Sequence, residues 1–263
     1  MEKSEWALIL GASSGFGAST ALELARRQLN IIGVHLDTRA TLPNANRTVA
    51  GIEDLGRQAL FFNTNAADAA KIDIVLDKVE EKLGPDGGNV RVLLHSLAFG
   101  TLKPFIAPNL EDAINPAQMQ MTLEVMANSL VYWTQRLVAR RLMGPGGRIY
   151  TMTSSGADRV IASYGAVSAA KAALQSHVRQ LALELAPLQI TINAVRAGVT
   201  DTAALRKIPG NENIARLALD RNPHGRLTTP EDVARVIGIL SCPEAAWMTG
   251  TVIGVDGGED IVG

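Results

Sequence analysis

The sequence carries a single cysteine, Cys242, in 263 residues. That excludes an internal disulfide framework and a cysteine-cluster metal site, and it suits a reducing compartment. An excess of positive charge is missing too: 25 Lys and Arg stand against 26 Asp and Glu, for a formal net charge of −1. Nothing in that balance would hold a phosphate backbone, so no nucleic-acid partner is expected. Long apolar runs are also absent. The run nearest the N-terminus covers only residues 6–10, against about 7–15 residues for a signal-peptide core and about 20 for a membrane span. No other apolar segment approaches those lengths without a charge or a turn residue. The expectation is a cytoplasmic protein with no membrane contact. His35, His95, His177 and His224 show no metal-ligand spacing, so no metal is expected. His95 reads as a packed strand-end histidine and Cys242 as a small buried apolar residue. What remains is an ordinary globular composition, 47% hydrophobic and 19% charged, long enough to bury a substantial core.

Seven short apolar runs punctuate the chain, at 6–10, 30–36, 59–62, 90–96, 147–153, 190–195 and 251–255. They are rich in Val, Ile and Leu and mostly do not alternate strictly, as strands covered on both faces do. Helical patterns lie between most of them. The alternation predicts an α/β fold: one Rossmann-type domain over 1–263, a doubly wound parallel sheet of about seven strands with helices on both faces. The Gly- and Pro-rich breaks at 84–88 and 144–147 are too short for linkers. The least regular stretch, about 199–228, carries Pro209, Gly210, Pro223 and Gly225 and reads as a substrate loop.

Directly after the first run comes Gly11-Ala12-Ser13-Ser14-Gly15-Phe16-Gly17, then a helical pattern. Glycines between a strand and a helix permit a tight turn and let a pyrophosphate sit on the helix N-terminus, where free N–H groups favour an anion. The loop residues Gly11, Ser13, Ser14, Gly15, Phe16 and Gly17 are therefore candidate dinucleotide contacts. After the second run stand Asp37 and Arg39. An acid there would bind a ribose 2′-hydroxyl and an Arg a 2′-phosphate. Asp37 opposes a phosphate and no loop cation compensates, so NAD(H) is favoured and NADP(H) stays open.

From about Ser163 an Ala-rich helical pattern runs to Pro187. Tyr164 and Lys171 are seven residues apart on it, which returns them to within roughly 20° of one face. A cation near a phenol favours the phenolate and tunes its donor strength.

These motifs carry a resemblance. The glycine loop, Asn65-Ala66 after the third run, the Tyr–Lys helix and INAVRAGVTDT at 192–202 occur in the order of the short-chain dehydrogenase/reductase family, over essentially the whole chain. The family's usual spacing is Tyr-x-x-x-Lys, but here the residue four before Lys171 is Val167. Tyr-x6-Lys instead resembles the family's enoyl-acyl carrier protein reductases. So do HSLAF at 95–99, DTAALRKIPG at 201–210 and NPHGRLTTPEDVA followed by TGTVIGVDGG. Moving a Tyr three residues earlier shifts it about 4.5 Å along a helix axis. That suits reduction of a conjugated C=C, whose carbonyl oxygen is not on the carbon that accepts hydride.

The resemblance implies that Tyr164 binds the thioester carbonyl and stabilises the enolate, while Lys171 binds the nicotinamide ribose. Ser154 stands at the family's serine position, where many enoyl reductases have a second Tyr. Gly11, Gly15 and Gly17 would cradle phosphates, Asn65 and Ala66 would border the adenine, and Ser96, Leu97 and Ala98 would add contacts. Within 198–202, Gly198, Val199, Thr200 and Thr202 would meet the cofactor, with Ala197 in place of the family's Pro. Asn128 is aligned with a family helix asparagine. The implied function is NAD(P)H-dependent reduction of trans-2-enoyl thioesters on acyl carrier protein or coenzyme A, in fatty acid synthesis, by a homotetramer or dimer. Arg206 and Lys207 would contribute to a basic carrier-docking patch. The alternatives are a carbonyl reductase or alcohol dehydrogenase of the same family, such as a 3-oxoacyl thioester reductase, and a non-catalytic nucleotide sensor.

Overall fold

The structure, a computed structural model, describes residues 4–84 and 87–262; Pro85 and Asp86 of the first expected break lie outside them. Seven strands form one sheet: β1 (Glu5–Leu10), β2 (Asn30–His35), β3 (Ala59–Asn63), β4 (Asn89–His95), β5 (Arg148–Thr153), β6 (Thr191–Ala197) and β7 (Val252–Val255). Every pairing is parallel and the order is β3-β2-β1-β4-β5-β6-β7. The chain steps outward from β1 to β3, then returns past β1 to lay β4 on its other side. The crevice between β1 and β4 is thus the point where strand order reverses.

Period-two alternation assigns the layers. Trp6, Leu8 and Leu10 of β1 pack with α3 (Ala69–Leu83), α5 (Ser129–Ala139) and α6 (Gly165–Leu185). Ala7 and Ile9 pack with α1 (Gly15–Arg26), α2 (Leu42–Asp54) and α8 (Pro230–Leu240) on the other face. With both faces covered, β2 and β5 are buried along their whole length, which explains their unbroken apolar runs. Side chains cap several helix starts: Asp68 accepts from Ala70 and Lys71 amides at α3, and Thr229 with Asp232 forms a reciprocal box at α8.

Three local features differ from the sequence pattern. First, α6 begins at Gly165, because Ser163 turns left-handed (φ 59°) and Tyr164 serves as N-cap. Second, the stretch 199–228 contains a helix, α7 (Asn211–Arg221). It buries only Ala218; its short apolar stripe, Ile214, Leu217 and Ala218, lies among polar residues and is mostly left uncovered. Third, the helix after α4 (Pro116–Leu123) passes through a π-helical turn, Glu124–Asn128, before α5. Such turns interrupt helical periodicity and often mark functional positions. Among the described residues no helix is long and apolar enough to cross a membrane.

Trp133 fastens the sheet edge to this core. Its ring is fully buried, and its Nε1 donates to the Ala66 carbonyl at 2.8 Å. Trp133→Phe keeps most of the packing and strands that carbonyl. The expected cost is about 1–3 kcal/mol of stability, read by denaturant unfolding.

Candidate functional site

All the loops that the sequence singles out leave the carboxyl ends of strands. The glycine loop follows β1, Asp37 follows β2, Asn65 and Ala66 follow β3, and residues 96–98 follow β4. Ser154 follows β5 and 198–202 follow β6.

Two loop glycines answer to packing. A Cβ on Gly17 would lie 2.0 Å from the Gly11 carbonyl oxygen, and one on Gly11 would lie 2.5 Å from Ser96 O. Gly15 answers to conformation (φ 53°), and a Cβ there would meet only Thr202, at 3.6 Å. Gly15 thus faces the 198–202 loop, with room for ordinary contact against Thr202. At the α1 N-terminus, Ser14 makes no side-chain cap and the first turn holds no acid. Such an end suits an anion. Ser13 and Phe16 flank it, Ser13 toward Asp37 and Phe16 toward the apolar core.

Asp37 is fixed from several sides. Its backbone N–H donates to Asn63 Oδ1 at 2.9 Å, and Asn63 Nδ2 returns a bond to Asp37 O at 3.0 Å. His35 Nδ1 meets its carboxylate at 2.7 Å. Burial opposes ionisation, but hydrogen bonds from Thr41, Ser13 and His35 outweigh it and hold the carboxyl below its ordinary range. An ionised Asp37 is tied to the glycine loop, and the exposed Arg39 makes no ion pair among the described residues. Asn63, His35 and Thr41 had no motif to mark them; only the parallel register that sets His35 beside Asn63 reveals the cluster.

Asn65 is exposed and closes an Asx turn onto Ala67 N (3.0 Å), whereas Ala66 is buried. Ser96 donates its amide to Leu10 O at 2.9 Å, Leu97 packs on the core, and Ala98 is exposed. The loop after β6 is stitched down: Gly198 N donates to Val255 O (3.1 Å), Val199 N to Glu259 Oε2 (2.9 Å) and Thr200 Oγ1 to Gly198 O (3.0 Å). Thr202 Oγ1 accepts from Leu205 N at 3.2 Å.

The Tyr164 ring and Lys171 are both buried. Lys171 Nζ donates to Met152 O at 2.6 Å, and burial pulls its pKa down to about 8. Burial raises the Tyr164 phenol, and the neighbouring Ser154 hydroxyl draws it part of the way back. The two lie close: a Cβ on Gly156 would meet Tyr164 Cε1 at 2.6 Å and Ser154 Oγ at 3.3 Å. Ser154 Oγ is nevertheless buried without a well-formed partner, an acceptor and donor left over for a ligand. Val167, where a Tyr-x-x-x-Lys chain would carry its phenol, is buried in the core.

Beneath them His95 is fully buried, with Nε2 2.8 Å from Ser129 Oγ and Nδ1 3.4 Å from Thr151 Oγ1. Desolvation first, then the Lys171 charge, push its pKa to about 3, so it is a neutral packed ring. Asn128 ends the π-turn and meets His177 Nε2 at 3.2 Å. Cys242 is half-buried rather than buried, since it lies just past the end of α8; its sulfur accepts from Arg27 Nη1 at 3.8 Å.

Residues 11–259 match the family described as enoyl-(acyl carrier protein) reductase. The chain belongs to the short-chain dehydrogenase/reductase family. The 1-cyclohexenylcarbonyl-CoA reductase of Streptomyces collinus is 31% identical over 99% of this chain and 89% of its own length. The 3-oxoacyl-[acyl-carrier-protein] reductase of Thermotoga maritima is 30% identical, over 95% of this chain and 96% of its own. The NADH-dependent enoyl-[acyl-carrier-protein] reductase of Aquifex aeolicus superposes with a TM-score of 0.85 at 25% identity, covering 99% of this chain and 98% of that one. As a short-chain dehydrogenase/reductase the protein is an oxidoreductase of dinucleotide-binding fold.

Lys171 sets a pH dependence of stability. The unfolded chain holds the lysine proton to about 10.5 and the folded chain only to about 8. Between those values the unfolded state binds more protons, so this group makes stability rise with pH; below about 8 its full desolvation cost is present. Lys171→Met is expected to raise the melting temperature at pH 7, with a smaller gain at pH 9.5. A lower melting temperature at pH 7 would show that the bond to Met152 O outweighs desolvation.

Proposed function

We propose that this protein reduces trans-2-enoyl thioesters with NAD(H) as hydride donor. The observation that carries the reading is the exchange of positions on one helix. The phenol sits on the N-cap, seven residues before Lys171, and the position four before it is plugged by buried Val167. The resident phenol therefore meets an oxygen displaced along the helix axis, as in a conjugated thioester. The Streptomyces collinus relative, named for a CoA thioester with a conjugated ring double bond, supports the reading.

The dinucleotide, when bound, supplies a hydride to C3 of the enoyl chain. Tyr164, kept protonated by burial, donates to the thioester oxygen and steadies the charge that gathers there. A proton from water then completes C2. Lys171 is assigned to the ribose hydroxyls, and Ser154 Oγ to a further substrate or Tyr164 contact. Gly15, Ser14 and the uncapped α1 N-terminus are assigned to the phosphates. Asp37 is assigned to the adenosine ribose, which favours NAD(H); Asn65 and Ala66 border the base. Residues 96–98 and 198–202 form the remaining walls.

We assign 199–228, with α7, to covering the acyl chain and excluding water. The carrier is acyl carrier protein or coenzyme A. Arg206 pairs with Asp201 at 2.8 Å, which leaves Lys207 the more available cation for carrier docking. Exposed Leu183, Ile239 and Trp247 give a homo-oligomer apolar surface to cover.

Ser154 favours a second reading. A buried, unpartnered hydroxyl beside the phenol also suits a carbonyl substrate, and the Thermotoga maritima relative is named for one.

Oxidation of NADH and NADPH, followed by absorbance with a crotonyl or longer trans-2-enoyl thioester beside a 3-oxoacyl thioester, separates the two. Enoyl turnover, cut by about 100-fold or more in Tyr164→Phe, is expected. Turnover of the 3-oxo substrate alone would replace this reading with the second. In the same assay Asp37→Ala is expected to narrow the NADH-over-NADPH preference about tenfold, as one ribose hydrogen bond and one phosphate repulsion are lost.

A further inference from the structure

We propose that Glu259 is a positioning residue that sets the 198–202 loop for the dinucleotide; the proposal rests on the reading that this loop contacts the cofactor. The chain after β7 folds back over the carboxyl edge of the sheet. Asp256 closes that turn on itself, with Oδ1 accepting from Gly258 N at 2.9 Å and Oδ2 from Asp260 N at 3.3 Å. Asp260 then grips two walls of the cleft. Arg159, between Ser154 and Tyr164, donates to Asp260 O and pairs with Oδ1, both at 2.9 Å. Arg196, on β6, pairs with Oδ2 at 3.0 Å and reaches Asp158 at 3.9 Å.

Held in this way, the turn presents Glu259 to the loop, and its Oε2 accepts the Val199 N–H at 2.9 Å. The fit leaves no slack. A Cβ on Gly198 would lie 2.4 Å from Thr228 Oγ1, 2.9 Å from Glu259 Oε2 and 3.0 Å from the Asp256 Cα. Glu259 is half-buried, with the acids Asp256 and Asp260 on its own turn; Arg159 and Arg196 both engage Asp260, and the Arg159 charge favours the Glu259 carboxylate. Burial and those two acids disfavour the carboxylate, and the Val199 amide is the one hydrogen-bond donor it meets among the described residues. An apolar side chain would fill the same space without that cost. The carboxylate is accounted for by the amide it holds, and a loop held in one conformation binds its ligand with less ordering cost.

Two measurements on the full chain test this. The first is hydrogen–deuterium exchange of the 198–202 segment without nucleotide. Glu259→Ala is expected to speed exchange about fivefold or more, while Glu259→Gln, whose amide oxygen still accepts, stays near the parent rate. The second is calorimetric titration with NADH and NADPH beside steady-state kinetics. Glu259→Ala is expected to weaken nucleotide binding and raise its KM about five- to tenfold, with kcat within about twofold and Gln restoring affinity. Unchanged exchange in Glu259→Ala, or faster exchange with unchanged nucleotide affinity, would overturn the proposal, and so would a mere drop in melting temperature shared equally by Ala and Gln. A parent chain that binds neither nucleotide would refute the cofactor reading of the loop; the exchange rates then still decide whether Glu259 holds it.

Discussion

Each strand of this sheet runs in the same direction, so each delivers its carboxyl end to one edge. The constraint follows from burial. Helices cover both faces, the strands cannot turn back as hairpins, and every crossover must pass over a face and re-enter from the opposite end. The loops that leave the carboxyl edge are then gathered on the side of the sheet where the β1–β4 crevice opens. The glycine loop touches Asp37, Ser96 and Thr202 there, and Ser154 leaves the same edge from β5, although they are scattered across most of the chain. The edge is a consequence of core packing, and the chemistry is what that edge gathers.

Elsewhere the molecule is mostly apolar strands, packed helices and paired surface charges, with isolated exceptions such as the buried Arg148, whose Nε has no partner, and left-handed Gln28, Arg141 and Gln189. The site departs from that pattern. A lysine is buried against a backbone carbonyl with its pKa drawn down, and a serine hydroxyl is buried without a partner. Beside them a left-handed serine precedes the phenol, and a helix is wound through a π-turn. Such departures cost stability and persist where surrounding packing enforces them. Trp133, Val167 and the neutral, packed His95 supply that packing from below. From the side, the C-terminal turn binds the Ser154 loop and β6 through one aspartate.

Much of the site was readable in one dimension. The seven apolar runs became the seven strands because a doubly covered strand has no polar face to disguise it. The glycine loop was readable from its place between a strand and a helix, although Gly17 turned out to serve close backbone packing. Tyr164 and Lys171 were readable as candidates because seven residues make about two helical turns, although Tyr164 proves to be the N-cap and its phenol is shifted by burial and Ser154 rather than by the lysine. Contacts between loops of distant sequence were not readable. Asn63 holds Asp37 only because β2 and β3 are in parallel register, and nothing in the spacing of the two residues announces it. Helix α7 was missed because its apolar spacing, Ile214, Leu217 and Ala218, is short and lies between Pro209-Gly210 and Pro223.

Local pattern therefore determined the element types, the sheet class and the candidate residues for the proposed dinucleotide and carbonyl contacts, since those depend on periodicity and on side-chain chemistry alone. Tertiary structure decided which of them meet and in what state. It buried Lys171 beneath Met152 O, left Ser154 Oγ unsatisfied, filled the Val167 position with core and brought Glu259 from the far end of the chain onto the Val199 amide. Burial and long-range register set those outcomes, and both are properties of the packed chain that no local stretch of sequence contains.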